Sequence, residues 1–187
     1  HADLPEHLLA GLSDGTVAVD GKVATEQATP YFVYGLGNTS GTAGNGYLFT
    51  TGNAYRTSIA TGNWTTEQTV TKNANLQRGV WKHLTYTLSG TTAVLYEDGV
   101  EVGRQTGVTI DPKDIGNGST LANYIGRSRY SGGRYRPDGL DVLGPLGQVA
   151  AVAARGPAAH DAQPLAHRGH DGVAVGARGV VDRVRVE

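Results

Sequence analysis

An all-β antiparallel sandwich is the fold that residues 13–135 predict. The region is rich in Gly, Thr, Ser, Asn and Tyr, and turn residues divide its apolar stretches roughly every 8–12 positions, a spacing typical of β-sandwiches. Its clearest local signal is Asp98-Gly99, which separates two runs of β-branched and aromatic residues and predicts a type I′ hairpin turn. These observations favour one core between two antiparallel sheets.

Strands are expected where β-branched and aromatic residues cluster, at residues 17–19, 31–34, 46–49, 55–59 and 81–88. Along the last strand, Leu84, Tyr86 and Leu88 alternate with other residues and are expected to face the core. Residues 1–12 predict at most a brief helical turn, and the glycine-rich stretch 38–46 predicts a mobile loop.

The chain changes character near residue 135. All aromatic residues lie between Tyr31 and Tyr135, whereas Ala, Gly, Val and Arg make up 33 of the 52 residues that follow. We therefore predict a domain over residues 1–135 and a tail over residues 136–187, in which residues 173–175 and 180–186 can pair as a hairpin. Codons for these four residue types are rich in G and C, so a frameshift near residues 132–143 of a high-GC gene accounts for the tail. A genuine low-complexity extension is the alternative.

Charge and composition exclude several classes of protein. The net charge of −1 provides no basic face for a nucleic acid, and the absence of cysteine excludes a disulfide framework and thiolate metal sites. No apolar run approaches the roughly 20 residues of a membrane span. The chain begins with His1 and contains no methionine, which is typical of a fragment or a mature segment.

Three ordered motifs carry a resemblance to a known family. They are a strand that begins Trp81-Lys82-His83, the hairpin at residues 95–102 and the segment at residues 123–128. In this order they resemble the bacterial laminin-G-like domains of secreted, actinobacterial-type proteins, which have a concanavalin A-like jelly-roll fold. The resemblance covers residues 13–135, and it implies the fold more specifically than the function because this fold carries many activities.

Two departures from the family pattern predict a sandwich that is open at both ends. The opening strand is not recognisable in residues 1–12 and is expected before His1 in the parent protein. The closing strand is not found either, because residues 138–142 begin like it and then lead into Leu143-Gly144-Pro145.

A glycoside hydrolase of the same fold is the main alternative function. Glu97, Asp98 and Glu101 superficially match the carboxylates of such enzymes, whose retaining pair lies about 5–5.5 Å apart. Alternation along the strand is expected to turn Asp98 away from Glu97, and the turn places Glu101 on the returning arm. The sequence therefore favours a structural hairpin over a catalytic pair.

The histidines give little support for a metal site or a catalytic site. His160, His167 and His170 are the residue type of a zinc site, but they lie in the tail without a spacing that aims them at one ion. His83 belongs to a predicted strand, where a packed and hydrogen-bonded role is favoured over catalysis.

Glycan binding is the activity that the sequence favours. Aromatic rings stack on the C–H faces of sugars, and planar polar groups form hydrogen bonds with their hydroxyls. Five residues near loop-like Gly and Asn positions supply both kinds of group: Tyr55, Arg56, Asn63, Trp64 and Tyr130. For Trp64, a packed position at the rim of the core is the alternative.

The resemblance also implies a possible structural calcium ion. Calcium is held by about 6–8 oxygen ligands. Asp14, Asp111 and Asn117 are oxygen donors in predicted turns, where ordinary capping and turn roles are the alternative.

The predicted function is that of a non-catalytic carbohydrate-binding or adhesion module, rather than an enzyme. The resemblance implies an extracellular location, a polysaccharide or glycan partner and attachment to a catalytic domain in the parent protein. A structural spacer or protein-interaction domain is the third possibility.

Overall fold

Two antiparallel sheets form the sandwich within residues 2–126. The computed structural model describes residues 2–27, 31–38 and 46–126, together with four two-residue strands in the tail. Two short 3₁₀ segments, Trp64–Thr66 and Pro112–Gly118, accompany the sheets, and no helix in the described residues is long and apolar enough to cross a membrane. The predicted all-β antiparallel sandwich is confirmed.

Ten strands within residues 2–126 build the two sheets. They are β1 (Ala2–Asp3), β2 (Gly15–Lys22), β3 (Phe32–Gly37), β4 (Tyr47–Thr51), β5 (Arg56–Ala60), β6 (Gln68–Thr71), β7 (Trp81–Ser89), β8 (Thr92–Glu97), β9 (Val100–Thr106) and β10 (Tyr124–Ile125). One sheet has six strands in the order β1-β10-β3-β4-β5-β6, and the other has four in the order β2-β7-β8-β9.

The predicted strands are confirmed as β2, β3, β4, β5 and β7, with bounds that differ by a few residues. Strand β6 was not predicted, because Val70 is its only large apolar residue. The sequence of β6 therefore lacks a clear apolar face, and the strand forms because its backbone pairs with β5 over four residues.

The core lies between the inner faces of the sheets. Leu84, Tyr86 and Leu88 of β7 are at most 5% exposed, as predicted, and they belong to the same core cluster as residues of the six-stranded sheet such as Leu48 and Ile59. Strand β2 pairs with β7 without interruption and adds two inward-facing valines, Val17 and Val19. Alternation along the strands therefore produces one apolar layer.

The hairpin between β8 and β9 turns at Asp98-Gly99, as predicted. Their φ angles are 53° and 80°, the positive values that a type I′ turn requires. Glycine adopts this conformation without a Cβ clash, and aspartate is one of the few other residues that tolerate it.

The N-terminal segment differs from expectation. Strand β1 pairs with β10, so residues 1–12 contain a short strand, and the predicted helical turn is instead an irregular turn in which His7 has a φ of 58°. Buried Asn123 fixes the segment, because its side chain donates to the Pro5 carbonyl at 2.8 Å and accepts from the Gly37 amide at 3.2 Å. The opening edge is therefore held by the backbone pairing of β1 with β10, by these side-chain hydrogen bonds and by the buried side chains of Leu4 and Leu9.

In the tail, four two-residue strands pair as β11 (Gln148–Val149) with β14 (Val184–Arg185) and β12 (Val175–Gly176) with β13 (Val180–Val181). The second pair agrees with the hairpin expected from the valine pattern. The remaining tail residues and residues 39–45 lie outside the described residues, and with them the predicted loop, the closing strand and the three tail histidines. The division at residue 135 and the frameshift stay predictions.

Candidate functional site

The outer face of β4, β5 and β6 combines polar side chains with a second buried apolar cluster, which consists of Phe32, Tyr47, Phe49 and Ala60. On this face Phe49 of β4 lies opposite Ser58 of β5, and Ser58 lies opposite Thr69 of β6. Arg56 lies on the same face of β5, two residues before Ser58 and opposite Thr51 of β4. The site therefore starts from a row of side chains that the strand register alone brings together.

Arg56 and Glu67 form an ion pair at the centre of this face. The Nη1 atom of Arg56 lies 2.9 Å from Oε2 of Glu67 and also donates to Oγ of Ser58 at 3.0 Å. The other carboxylate oxygen, Oε1, accepts a hydrogen bond of 2.5 Å from the hydroxyl of Tyr47. The guanidinium also lies over the ring of Phe49, 5.0 Å from its centroid. Both charged groups are therefore held in fixed positions.

The ion pair retains groups that can bind a ligand. The Nη2 and Nε atoms of Arg56 have no hydrogen-bond partner among the described residues, and the side chain is 33% exposed. Beside it, the hydroxyls of Ser58 and Thr69 lie 2.8 Å apart and form a hydrogen bond. The face thus presents guanidinium donors next to the partly exposed Glu67 carboxylate and Thr69 hydroxyl, whereas Ser58 is fully buried.

Trp64 lies in the connection that joins the end of β5 to the start of β6. The side chain of Asn63 accepts from the Thr65 amide at 3.0 Å and caps the 3₁₀ segment, and the Glu67 amide donates to the Trp64 carbonyl at 3.3 Å. Trp64 is 75% exposed, so it is not packed at the rim of the core. A solvent-exposed indole of this kind is informative because most large aromatic side chains are buried.

We call the group formed by Arg56, Trp64, Glu67 and Thr69 the Trp64 surface, and buried Ser58 supports it through hydrogen bonds with Arg56 and Thr69. Of the predicted site residues, Arg56 and Trp64 belong to it, and Asn63 supports it as a helix cap. Tyr130 lies outside the described residues. The contribution of Glu67 was not predicted, because the register that brings it to Arg56 depends on the unpredicted strand β6.

Tyr55 is not part of the Trp64 surface, contrary to the prediction. It is 1% exposed and its hydroxyl donates to the Tyr96 carbonyl of the opposite sheet at 2.7 Å. Burial raises its pKa well above the usual range for tyrosine. The alternation of side chains along residues 55–59 could have predicted this burial. Ile59 is a core residue, so Tyr55 lies on the core side of the strand and Arg56 on the outer side.

The predicted glucanase-like carboxylates are each neutralised by a cation. Glu97 is 9% exposed and contacts the ammonium groups of Lys72 at 2.5 Å and Lys82 at 3.0 Å. The expectation that Asp98 faces away from Glu97 is wrong. Asp98 lies in the turn rather than in a regular strand, so its carboxylate also reaches Lys82, at 2.7 Å. Glu101 is on the returning arm, as predicted, and pairs with Arg104.

His83 has the hydrogen-bonded role that the sequence favours. Its Nδ1 lies 2.7 Å from Oδ1 of Asp20 on the neighbouring strand β2, and its Nε2 lies 3.2 Å from Oγ1 of Thr85. The hydrogen bond with Asp20 raises the pKa of His83 above its ordinary value, against the opposing effect of burial. The pair lies on the outer face of the four-stranded sheet.

An ammonium group lies near two of the three predicted calcium donors, because Lys113 pairs with Asp111 and also interacts with the charge of Asp14. The ammonium of Lys113 contacts the carboxylate of Asp111 and the hydroxyl of Ser13, and Asp14 accepts from the Gly90 amide at 2.5 Å. No group of three or more His, Asp or Glu side chains suited to a metal occurs within the described ranges. Because an ammonium already neutralises Asp111, the donor set does not fit a calcium ion, and a calcium site elsewhere stays a prediction.

Two solved structures resemble the fold. Domain 4 of AbnA, a GH43 extracellular arabinanase of Geobacillus stearothermophilus in complex with arabinotriose, matches with a TM-score of 0.54 and 16% identity over 73% of this chain. The CBM40 of the Ruminococcus gnavus IT-sialidase, bound to α2,3-sialyllactose, matches with a TM-score of 0.52 and 20% identity over 71% of this chain. The match spans 61% of the arabinanase domain and 73% of the sialidase domain. At these identities the likeness shows the fold alone.

Sequence comparison with a family model covers most of the chain. Residues 1–141 match the model described as the concanavalin A-like lectin/glucanases superfamily, of the laminin-G type. The comparison with curated proteins gave no match. The family match begins in the segment that contains β1, and it extends past the last described residue of the sandwich.

Proposed function

Because the chain belongs to the concanavalin A-like lectin/glucanase superfamily, we propose that it is a non-catalytic module that binds a glycan at the Trp64 surface. The observation that carries the proposal is the 75% exposed indole of Trp64 on the connection to β6, three residues before Glu67 of the Arg56–Glu67 pair. An exposed ring and fixed planar polar groups are the two elements that sugar binding requires.

Solved structures with a similar fold support this proposal. The two solved structures described above are complexes with oligosaccharides, arabinotriose in one and α2,3-sialyllactose in the other. The arabinanase is described as extracellular, and an extracellular location with attachment to a glycan-active catalytic domain is the setting that we propose for this chain as well. Such attachment would concentrate the catalytic domain on its substrate.

The enzyme alternative has less support. A retaining glycosidase needs two carboxyl groups about 5–5.5 Å apart that face a sugar from both sides of the scissile bond. In the described residues, Glu97 is bound by Lys72 and Lys82 at the inner side of the hairpin, while Glu101 pairs with Arg104 on the returning arm. On the Trp64 surface, Glu67 is the one carboxylate, and it is bound by Arg56 and Tyr47.

A binding screen of the full chain against immobilised plant and microbial polysaccharides tests the proposal, followed by titration calorimetry with oligosaccharides of any that bind. The decisive variant is Trp64→Ala. We expect it to weaken binding by about tenfold or more, or about 1.4 kcal/mol, because central aromatic contacts dominate binding energy. Thermal stability should change little, since the side chain is exposed.

Trp81→Ala is the matched control. Trp81 is also exposed, at 48%, but it lies at the start of β7 in the four-stranded sheet. We expect this variant to bind like the parent protein. Equal losses in both variants would assign the site elsewhere, and a folded protein that binds no glycan would leave a spacer or protein-interaction role.

A further inference from the structure

The charges of the Trp64 surface cancel. Arg56 and Glu67 are its two charged residues, and they neutralise each other at 2.9 Å. Glu67 is the more enclosed of the two, with 15% of its side chain exposed against 33% for Arg56. An approaching ligand therefore meets a dipole with a guanidinium edge and a carboxylate edge rather than a cationic site.

Neutral and acidic sugars interact differently with such a dipole. A hydroxyl group both donates and accepts hydrogen bonds, so neighbouring hydroxyls of a neutral sugar satisfy the guanidinium N–H groups and the carboxylate oxygens together. A carboxylate only accepts. It can bind the Nη2 and Nε donors of Arg56, but it then places a second negative charge beside Glu67.

The paired lysine and arginine side chains of the described residues, apart from Arg56, are bound to other carboxylates. Within the described residues, Lys72 and Lys82 are bound to Glu97 inside the hairpin, Arg104 pairs with Glu101, and Lys113 pairs with Asp111. The Thr69 hydroxyl is partly exposed and neutral, and it can donate as well as accept, whereas Ser58 is buried. Thr69 therefore fits a further sugar hydroxyl.

We propose that the Trp64 surface selects neutral glycans and rejects those that carry a carboxylate, such as sialic acid or uronic acid residues. This inference rests on the proposed glycan-binding function. It also separates the two ligand types found with the similar structures, of which arabinotriose is neutral and sialyllactose carries a carboxylate.

Matched pairs of oligosaccharides test the selection with the full chain. Lactose is compared with α2,3-sialyllactose, and methyl-esterified trigalacturonate with free trigalacturonate, beside arabinotriose as a further neutral sugar. We expect at least one neutral member to bind, and its acidic partner to bind about tenfold more weakly or not at all. Binding of the neutral sugar should be nearly unchanged between about 0.05 and about 0.5 M NaCl, because no net charge is neutralised.

Glu67→Gln is the informative variant. It removes the negative charge but keeps an acceptor for Arg56 and Tyr47, so the surface becomes cationic. We expect the affinity for the acidic members to rise by about tenfold and to become salt-dependent, with folding checked by circular dichroism. Glu101→Gln, which removes an equal charge beside Arg104, should leave the preference unchanged.

The outcomes distinguish the selection for neutral glycans from the glycan-binding function on which it rests. Preferential binding of the acidic members by the parent protein would overturn the selection for neutral glycans while leaving the binding function in place. An unchanged preference in Glu67→Gln would also overturn it, because the charge of Glu67 would then not set the selection. A protein that binds neither member of any pair, nor any polysaccharide of the screen, would overturn the proposed function itself.

Discussion

Neighbouring residues along one strand have opposite roles. Tyr55 is a core residue whose hydroxyl reaches the opposite sheet, and Arg56 is an outer residue that pairs with Glu67. Both were predicted as ligand-binding residues from their chemical type alone. The period-two alternation of the strand assigns them to different faces, once Ile59 is recognised as core. Residue type therefore identified Arg56 as a surface residue, and strand geometry was needed to exclude Tyr55.

Gly52 is required by close packing rather than by its backbone angle. A Cβ atom at this position would lie 1.9 Å from Cε2 of Tyr31, inside the ring's van der Waals surface. We expect Gly52→Ala to lower the free energy of unfolding by about 1–3 kcal/mol, because the ring must move from its packed position. Urea and thermal unfolding measure the loss.

Gly21→Ala is the control for this prediction. A Cβ at Gly21 meets no atom within 4 Å, so the substitution should be neutral or slightly stabilising. If Gly52→Ala unfolds at the same temperature as Gly21→Ala, the Tyr31 ring does not depend on that glycine.

At the scale of the elements, the sequence predicts strongly patterned strands and misses weakly patterned ones. The β8–β9 hairpin was predicted from Asp98-Gly99, because both turn residues fit positive φ. Strands β1 and β6 were missed, since one has two residues and the other a single large apolar side chain. The ion pair of Glu67 with Arg56 depends on β6. Glu67 and Thr69 therefore could not be assigned to the candidate site from local sequence.

The cross-strand pair of Asp20 on β2 and His83 on β7 should make stability depend on pH. The pKa of His83 is raised above 6.5 in the folded protein, chiefly by its hydrogen bond with Asp20. Protonated His83 therefore stabilises the fold below about pH 6.5, and this contribution is lost as the pH rises through the folded-state pKa. Asp98 adds a weaker attraction of the same sign.

Asp20→Asn measures this contribution. We expect the variant to be less stable than the parent at about pH 5.5 and nearly equal to it at about pH 8.5. The effect should stay below about 1 kcal/mol, because both side chains are more than one third exposed. A stability difference that grows toward alkaline pH would contradict the assignment of the pair.

In the whole molecule, the two sheets are tied together along one edge. Lys72 follows β6 of the six-stranded sheet, and its ammonium contacts Glu97 at the end of β8 in the four-stranded sheet. A Cβ on Gly103 of β9 would lie 2.7 Å from the Thr71 carbonyl oxygen, so the backbones are in direct contact there. The sequence predicted the sandwich, but it could not predict this edge, because the contact joins segments 25 residues apart.

Glu97→Gln should loosen this edge. Burial alone would raise the pKa of Glu97, but the ammonium groups of Lys72 and Lys82 hold it below its usual value. We expect the variant to lose about 2 kcal/mol at neutral pH, because two charge-assisted contacts are weakened in a largely buried position. Chemical unfolding at pH 7 and at lower pH measures the loss.

The difference should shrink as the pH falls through the folded-state pKa of Glu97, since the parent then loses the same charge. The control is Glu101→Gln, which removes an exposed carboxylate paired with Arg104 and should have little effect on stability. Equal losses in the two variants would mean that the connection between the sheets does not depend on Glu97.

The connection that carries Trp64 can be exchanged without disturbing the fold. The 3₁₀ segment has no buried residue, and its ends are fixed by the pairing of β5 with β6 and by the Asn63 cap. Substitutions at Trp64, Thr65 and Thr66 should thus change mainly the contacts made outside the protein and should change stability little. Related domains can therefore acquire new ligand preferences by changing this short connection, and a combinatorial library limited to these positions is a practical route to engineered binders on this scaffold.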